Sequence, residues 1–128
     1  MKTVIVTGSS GQLGQAICSK LINQKNHVIG IDIKSNSFLD GKENYTFKKI
    51  DITCQMQVQS FFSEIKKDFE NIYGLVNNAG VAVFSPLEKR TSDELIYVTK
   101  VNNFAPIYMT QGFIQVYDKN LSPSIINL

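Results

Sequence analysis

Thr7-Gly8-Ser9-Ser10-Gly11-Gln12-Leu13-Gly14 decides the reading of this chain, because of what stands on either side of it. Before it runs Lys2 to Val6 (KTVIV), a β-branched stretch of strand length. After it, Gln15 to Asn23 carries Ala16, Ile17, Leu21 and Ile22 at helical spacing, with Leu13 at the start of the same stripe. A glycine turn between a strand and a helix is the setting in which a backbone cradles a diphosphate. Gly8 allows the tight turn, Gly11 removes a Cβ where phosphates must approach, and Gly14 lets the helix pack closely on the sheet. The helix N-terminus adds free N–H groups and partial positive charge. Ser10 and Gln12 belong to the same candidate cradle.

Outward from this turn, strand and helix patterns alternate. His27 to Ile33 (HVIGIDI) and Tyr45 to Ile50 (YTFKKI) read as the next strands, with a polar loop, Lys34 to Asn44, between them. Thr53 is a candidate cap for a helix over Gln55 to Phe69, and Ile72 to Val76 (IYGLV) reads as a fourth strand. Ser92 is a candidate cap for a long helix from Asp93 to Tyr117, which Pro106 should kink or interrupt. Ser124 to Leu128 (SIINL) reads as a fifth strand. This alternation predicts an α/β, doubly wound parallel sheet in one domain covering residues 1–128.

Asp32 closes the second strand about 20 residues beyond the turn, the place of an acid that binds the adenosine ribose hydroxyls. A carboxylate there repels the 2′-phosphate of NADP, and Thr7–Gly14 holds no Arg or Lys to receive one. Lys34 is the one nearby cation that argues the other way. The sequence therefore favours NAD, with Asp32 and its neighbour Ile33 at the ribose end.

The glycine turn, Asp32, Asp51-Ile52, Asn77-Asn78-Ala79-Gly80 and Val101-Asn102 stand in an order and spacing that resemble the short-chain dehydrogenase/reductase family, over the whole chain. The resemblance implies a Rossmann-like sheet of strand order 3-2-1-4-5, truncated after the fifth strand. It implies an adenine-side contact from Asp51 and Ile52, and a cofactor-lining turn from Asn78, Ala79 and Gly80. It places Leu13 under the diphosphate. It gives Asn102 a catalytic part, organising a proton-relay water, with Asn103 a rival for that slot. The implied reaction is hydride transfer between a nicotinamide cofactor and a small alcohol or carbonyl substrate. The glycines depart from the family's usual TGxxxGxG. Their TGxxGxxG spacing is similar to that of extended-type sugar-nucleotide epimerases and dehydratases, whereas NNAG is not. A non-enzymatic, redox-sensing dinucleotide module is a further alternative. The family's catalytic serine and Tyr-x-x-x-Lys follow the fifth strand, so this chain is expected to be inactive alone.

Other chemistries find little support. Tyr45 and Lys49 have the Tyr-x-x-x-Lys spacing, but in a strand they lie about 13 Å apart. His27, the single histidine, starts a strand and has no catalytic partner. Cys18 and Cys54 lack metal-ligand or redox spacing, and Cys18 is expected to be buried on its helix. A formal charge of +2 with no basic run argues against nucleic acid. No stretch is apolar enough to span a bilayer, and no secretory signal is visible, so a cytoplasmic protein is expected. An exposed apolar fifth strand would favour self-association, making a homo-oligomer conceivable.

Overall fold

A computed structural model describes all 128 residues. Five strands form one parallel sheet: β1 (Thr3–Thr7), β2 (His27–Asp32), β3 (Tyr45–Lys49), β4 (Ile72–Asn77) and β5 (Ser124–Asn127). Their order is β3-β2-β1-β4-β5, as the resemblance implies. Every residue of β1 is buried, which is what an unbroken β-branched run requires at the centre of a sheet covered on both faces. Helices α1 (Gln12–Asn23), α2 (Gln55–Asp68), α3 (Ser92–Thr99) and α4 (Ala105–Phe113) supply the covers.

Two apolar clusters lie on opposite sides. Ile5, Ile29, Ile31 and Leu75 pack with Val58, Phe61, Phe62 and Ile65 of α2 and with Ala105, Met109 and Phe113 of α4. Val4, Val6, Val28 and Val76 pack with Cys18 of α1 and with Leu39. The register of β1 against β4 slips between Thr3 and Val4, so Tyr73 forms a bulge and packs beside the second cluster. Cys18 is buried with a free thiol, as its helix stripe predicts, and burial pushes its pKa up to about 12.

Four expectations are corrected. First, α1 begins at Gln12, not Gln15, so the second half of the glycine turn is already helical. Second, Thr53 does not cap α2. Its N–H and hydroxyl both donate to Asp51 Oδ1, at 2.9 and 2.6 Å, and Cys54 takes the cap position without a side-chain bond. Third, Thr91, not Ser92, caps α3. Thr91 Oγ1 accepts from the Glu94 N–H (3.2 Å), and the Glu94 carboxylate accepts from the Thr91 N–H (3.1 Å). The partner three residues on decides between the two hydroxyls. Fourth, the long helix is three pieces. A π-turn at Lys100–Phe104 separates α3 from α4, and regular helix ends at Phe113. Pro106 has no N–H for the carbonyl of Asn102, four residues back, and its ring crowds that carbonyl. A widened turn is the accommodation. No helix is long and apolar enough to cross a membrane.

Candidate functional site

The strand order reverses between β1 and β4, and a doubly wound sheet opens a crevice at the carboxyl ends of its strands there. A cleft of about 800 Å³ occupies that end of the molecule. It is lined by Gly8, Gly11, Gln12, Leu13 and Gly14 from the turn, by Asp32 and Ile33 after β2, by Asp51 and Ile52 after β3, and by Asn78, Ala79 and Gly80 after β4. The fold thus gathers twelve sequence-selected residues from four separate segments onto one wall.

The glycine turn owes its shape to close backbone packing. Gly8 has φ +65, and a Cβ on it would come within 2.9 Å of Ala79 Cα. A Cβ on Gly14 would sit 2.0 Å from the Gly8 carbonyl oxygen. Gly14 therefore closes α1 onto the turn itself, rather than onto the sheet as its spacing suggested. Gly11 is different: its Cβ would meet nothing closer than 3.5 Å, so its missing side chain keeps space open. Gly11 caps α1 without a side-chain bond, and the first turn carries no acid. The leading N–H groups of α1 are left for a ligand.

Thr7 and Asn78 lace the turn to the end of β4. Thr7 Oγ1 accepts from the N–H groups of Asn78 and Ala79, at 3.1 and 3.0 Å. Asn78 Nδ2 donates to the carbonyls of Thr7 and Gly8, at 3.1 and 3.2 Å. The Asn78 amide is thus a strut at the cleft wall. Asp32 Oδ1 accepts from the N–H groups of Ile33 (2.7 Å) and Lys34 (3.3 Å), and Oδ2 accepts from that of Ser10 (3.1 Å). Three backbone donors fix the carboxylate at the cleft wall.

A second hollow, of about 920 Å³, shares Ala79, Gly80 and Val81 with the first and is lined by both Asn102 and Asn103. Asn102, in the π-turn, grips the backbone of Val81. Its Oδ1 accepts from the Val81 N–H and its Nδ2 donates to the Val81 carbonyl, both at 2.8 Å. It fixes the chain just past Gly80, where the two hollows meet.

One candidate, and the pair already set aside, fall elsewhere. Ser10 does not line the cleft. Tyr45 and Lys49 lie on β3, and the Tyr45 hydroxyl donates to Ser9 Oγ (3.3 Å) below the glycine turn. Burial raises the Tyr45 pKa, the opposite of what a proton donor near neutrality needs. Sequence reasoning missed the far wall: Asp93, Ile96, Tyr97 and Lys100 also line the cleft. Their i, i+3, i+4, i+7 spacing was the available signal of a shared helical face.

The model of the family described as short chain dehydrogenase matches residues 2–128. The chain belongs to the short-chain dehydrogenase family. A benzil reductase, (S)-benzoin forming, of Bacillus cereus is 33% identical over 125 residues, covering 90% of this chain and 50% of the relative. An NADPH-dependent 3-dehydrocapnine reductase of Ornithobacterium rhinotracheale is 35% identical over 120 residues, covering 89% and 42%. A short chain dehydrogenase of Leptospira borgpetersenii, solved with bound NAD+, superposes with a TM-score of 0.92 at 27% identity, over 98% of this chain and 50% of that one. This chain spans about half the length of these relatives. Dehydrogenases of this family bind nicotinamide cofactors and act on small alcohols or carbonyls. Neither the epimerase or dehydratase reading nor the non-enzymatic module gains support from these similarities.

Proposed function

We propose that these residues form the cofactor-binding portion of an oxidoreductase that passes hydride between a small alcohol or carbonyl and NAD, in preference to NADP. The observation that carries the preference is the setting of Asp32. Its carboxylate stands in the cleft wall, held by three backbone N–H groups, where a dinucleotide-binding fold receives the adenosine ribose. A 2′-phosphate there would meet a fixed negative charge, and Lys34 does not line the cleft. NADPH dependence in one relative and bound NAD+ in another make this residue, rather than the family, the basis of the reading.

The remaining assignments follow the cleft. The N-terminal amides of α1, beside the open space at Gly11, suit a diphosphate. Asp51 and Ile52 take the adenine side, and Ile33 stays beside Asp32 at the ribose end. Asn78, Ala79 and Gly80 present backbone to the nicotinamide ribose, and Leu13 lies under the diphosphate. A bound nicotinamide supplies the hydride acceptor or donor. Asn102 positions the Gly80–Val81 peptide, and through it the floor of the second hollow, on which we place the substrate side. The 128 residues hold no helical Tyr-x-x-x-Lys. This chain by itself should bind cofactor without turning over substrate.

Isothermal titration of the chain with NAD+ and NADP+ tests the reading. NAD+ should bind tighter by at least about tenfold, and Asp32→Ala should erase most of that difference. Equal or tighter binding of NADP+ by the unmodified chain, or no change in the ratio on removing Asp32, refutes it.

A further inference from the structure

The glycine turn and the loop after β2 are joined at a single residue, Ser10. Its N–H donates to Asp32 Oδ2 and its hydroxyl donates to the carbonyl oxygen of Lys34. Its own carbonyl accepts from Asn36 Nδ2 at 3.0 Å and from Gln15 Nε2 at 2.9 Å. The Lys34 backbone is therefore held on both sides of its Cα, its N–H by Asp32 and its carbonyl by Ser10. Lys34 is exposed, and its side chain stays out of the cleft although it is only two residues from the ribose acid.

This arrangement changes the meaning of the two groups that the sequence sets in opposition. Asp32 repels a 2′-phosphate, and Lys34 would attract one if it could turn inward. Which of them a nucleotide meets depends on how the segment between them is held. We infer that the Ser10 hydroxyl is a specificity-positioning residue: by fixing the Lys34 carbonyl, it keeps the lysine ammonium out of the ribose end of the cleft. Asp32 is then the only charge presented there by this loop. Selectivity is divided between an acid that faces the ligand and a serine that never touches it. The inference rests on the proposed role of Asp32 at the adenosine ribose.

The experiment measures the ratio of Kd values for NADP+ and NAD+ by titration calorimetry, with far-UV circular dichroism to verify the fold of each variant. Ser10→Ala should lower the ratio about five- to tenfold, the size of one net hydrogen bond, mainly through tighter NADP+ binding. Ser10→Thr, which keeps a hydroxyl, should restore it. The double variant Ser10→Ala/Lys34→Ala should also return the ratio to its original value, because the released cation is gone. Lys34→Ala alone, which leaves the turn untouched, should not change the ratio. The inference is overturned if Ser10→Ala leaves the ratio within twofold, if the double variant stays as low as the single, or if Lys34→Ala alone weakens NADP+. An unchanged ratio in Asp32→Ala would instead refute the underlying reading. A ratio that responds to Asp32 but not to Ser10 removes only this inference.

Discussion

Ile5, Ile29, Ile31 and Leu75 face the side of the sheet covered by α2 and α4, while Val4, Val6, Val28 and Val76 face the side covered by α1. The first side gathers 14 buried apolar residues, the second only six. The glycine turn, Tyr45 beneath Ser9 and the leading end of α1 all belong with the second, thinner side. Polar fits secure the carboxyl ends of the strands: the Thr7 hydroxyl, the Asn78 amide and the Ser10 knot fix the backbone around the cleft. Apolar bulk is concentrated on the thick side and the glycine turn is packed from the thin one, while the cleft draws on both, since Ile31, Ile50 and Ile52 of the thick cluster line it. A turn whose glycines must lie against backbone has little room for large side chains.

The most direct way to break this comparison is to make one cavity on each side. Phe113→Ala, in the thick cluster, should cost about 3–5 kcal/mol. Leu39→Ala, in the thin one, should fall nearer about 2 kcal/mol, because Leu39 is carried on a loop, which can settle into the space it leaves. Urea denaturation of both variants decides the point. A larger loss at Leu39 would mean that the thin side carries more of the stability than its six residues suggest.

Leu39 also marks the limit of what the sequence discloses. It lies in Lys34–Asn44, a stretch polar enough to read as a plain loop, and yet it is fully buried. An adjacent pair, Phe38-Leu39, among polar residues carries no period, and nothing in it says that Leu39 is buried while Phe38 is exposed. The glycine turn, Asp32 and NNAG were legible because each is a local pattern with a fixed relation to a strand end. The Asp93–Lys100 wall was not, because helical spacing records a shared face but not what that face looks onto. Thr91 and Ser92 offered equivalent hydroxyls, and only Glu94 separated them. The π-turn was half legible: Pro106 announced a disturbance but not a wide turn placed ahead of it.

The comparison sharpens at the sheet edge. Register pairs Ile125 with Leu75 and Ile126 with Val76, so the two isoleucines of β5 face the thick and the thin side respectively. Ile125 is 37% exposed and Ile126 51%. β5 is an edge strand, and exposed apolar edges pair with other chains. The chain should therefore self-associate at high concentration. Ile126→Lys should suppress this more than Ile125→Lys, as read from the mass in light scattering behind size exclusion. A monomeric parent chain, or a stronger effect from Ile125, would contradict the assignment of the barer surface to the thin side.

The smallest expected effect separates the two sides by pH. His27 faces the thick side, its ring 5.2 Å from that of Phe69 and its Nε2 3.0 Å from Thr46 Oγ1. Burial lowers its pKa from 6.5, so the unfolded chain binds a proton at a higher pH than the folded one. Stability from this residue is present above pH 6.5 and is lost as pH falls through the lowered folded value. The thin side holds Cys18 and Tyr45, whose pKa values burial raises. Their contribution is present below the unfolded value, 9.0 for Cys18, and is lost as pH rises toward about 12. His27→Gln should thus flatten only the acid limb of a stability–pH profile, and Cys18→Ala only the alkaline one. Midpoints of urea denaturation, measured from below pH 6.5 to above pH 9.0, would show it. If His27→Gln also flattened the alkaline limb, the two sides would be energetically coupled through the sheet, and the two clusters could not be treated as separate.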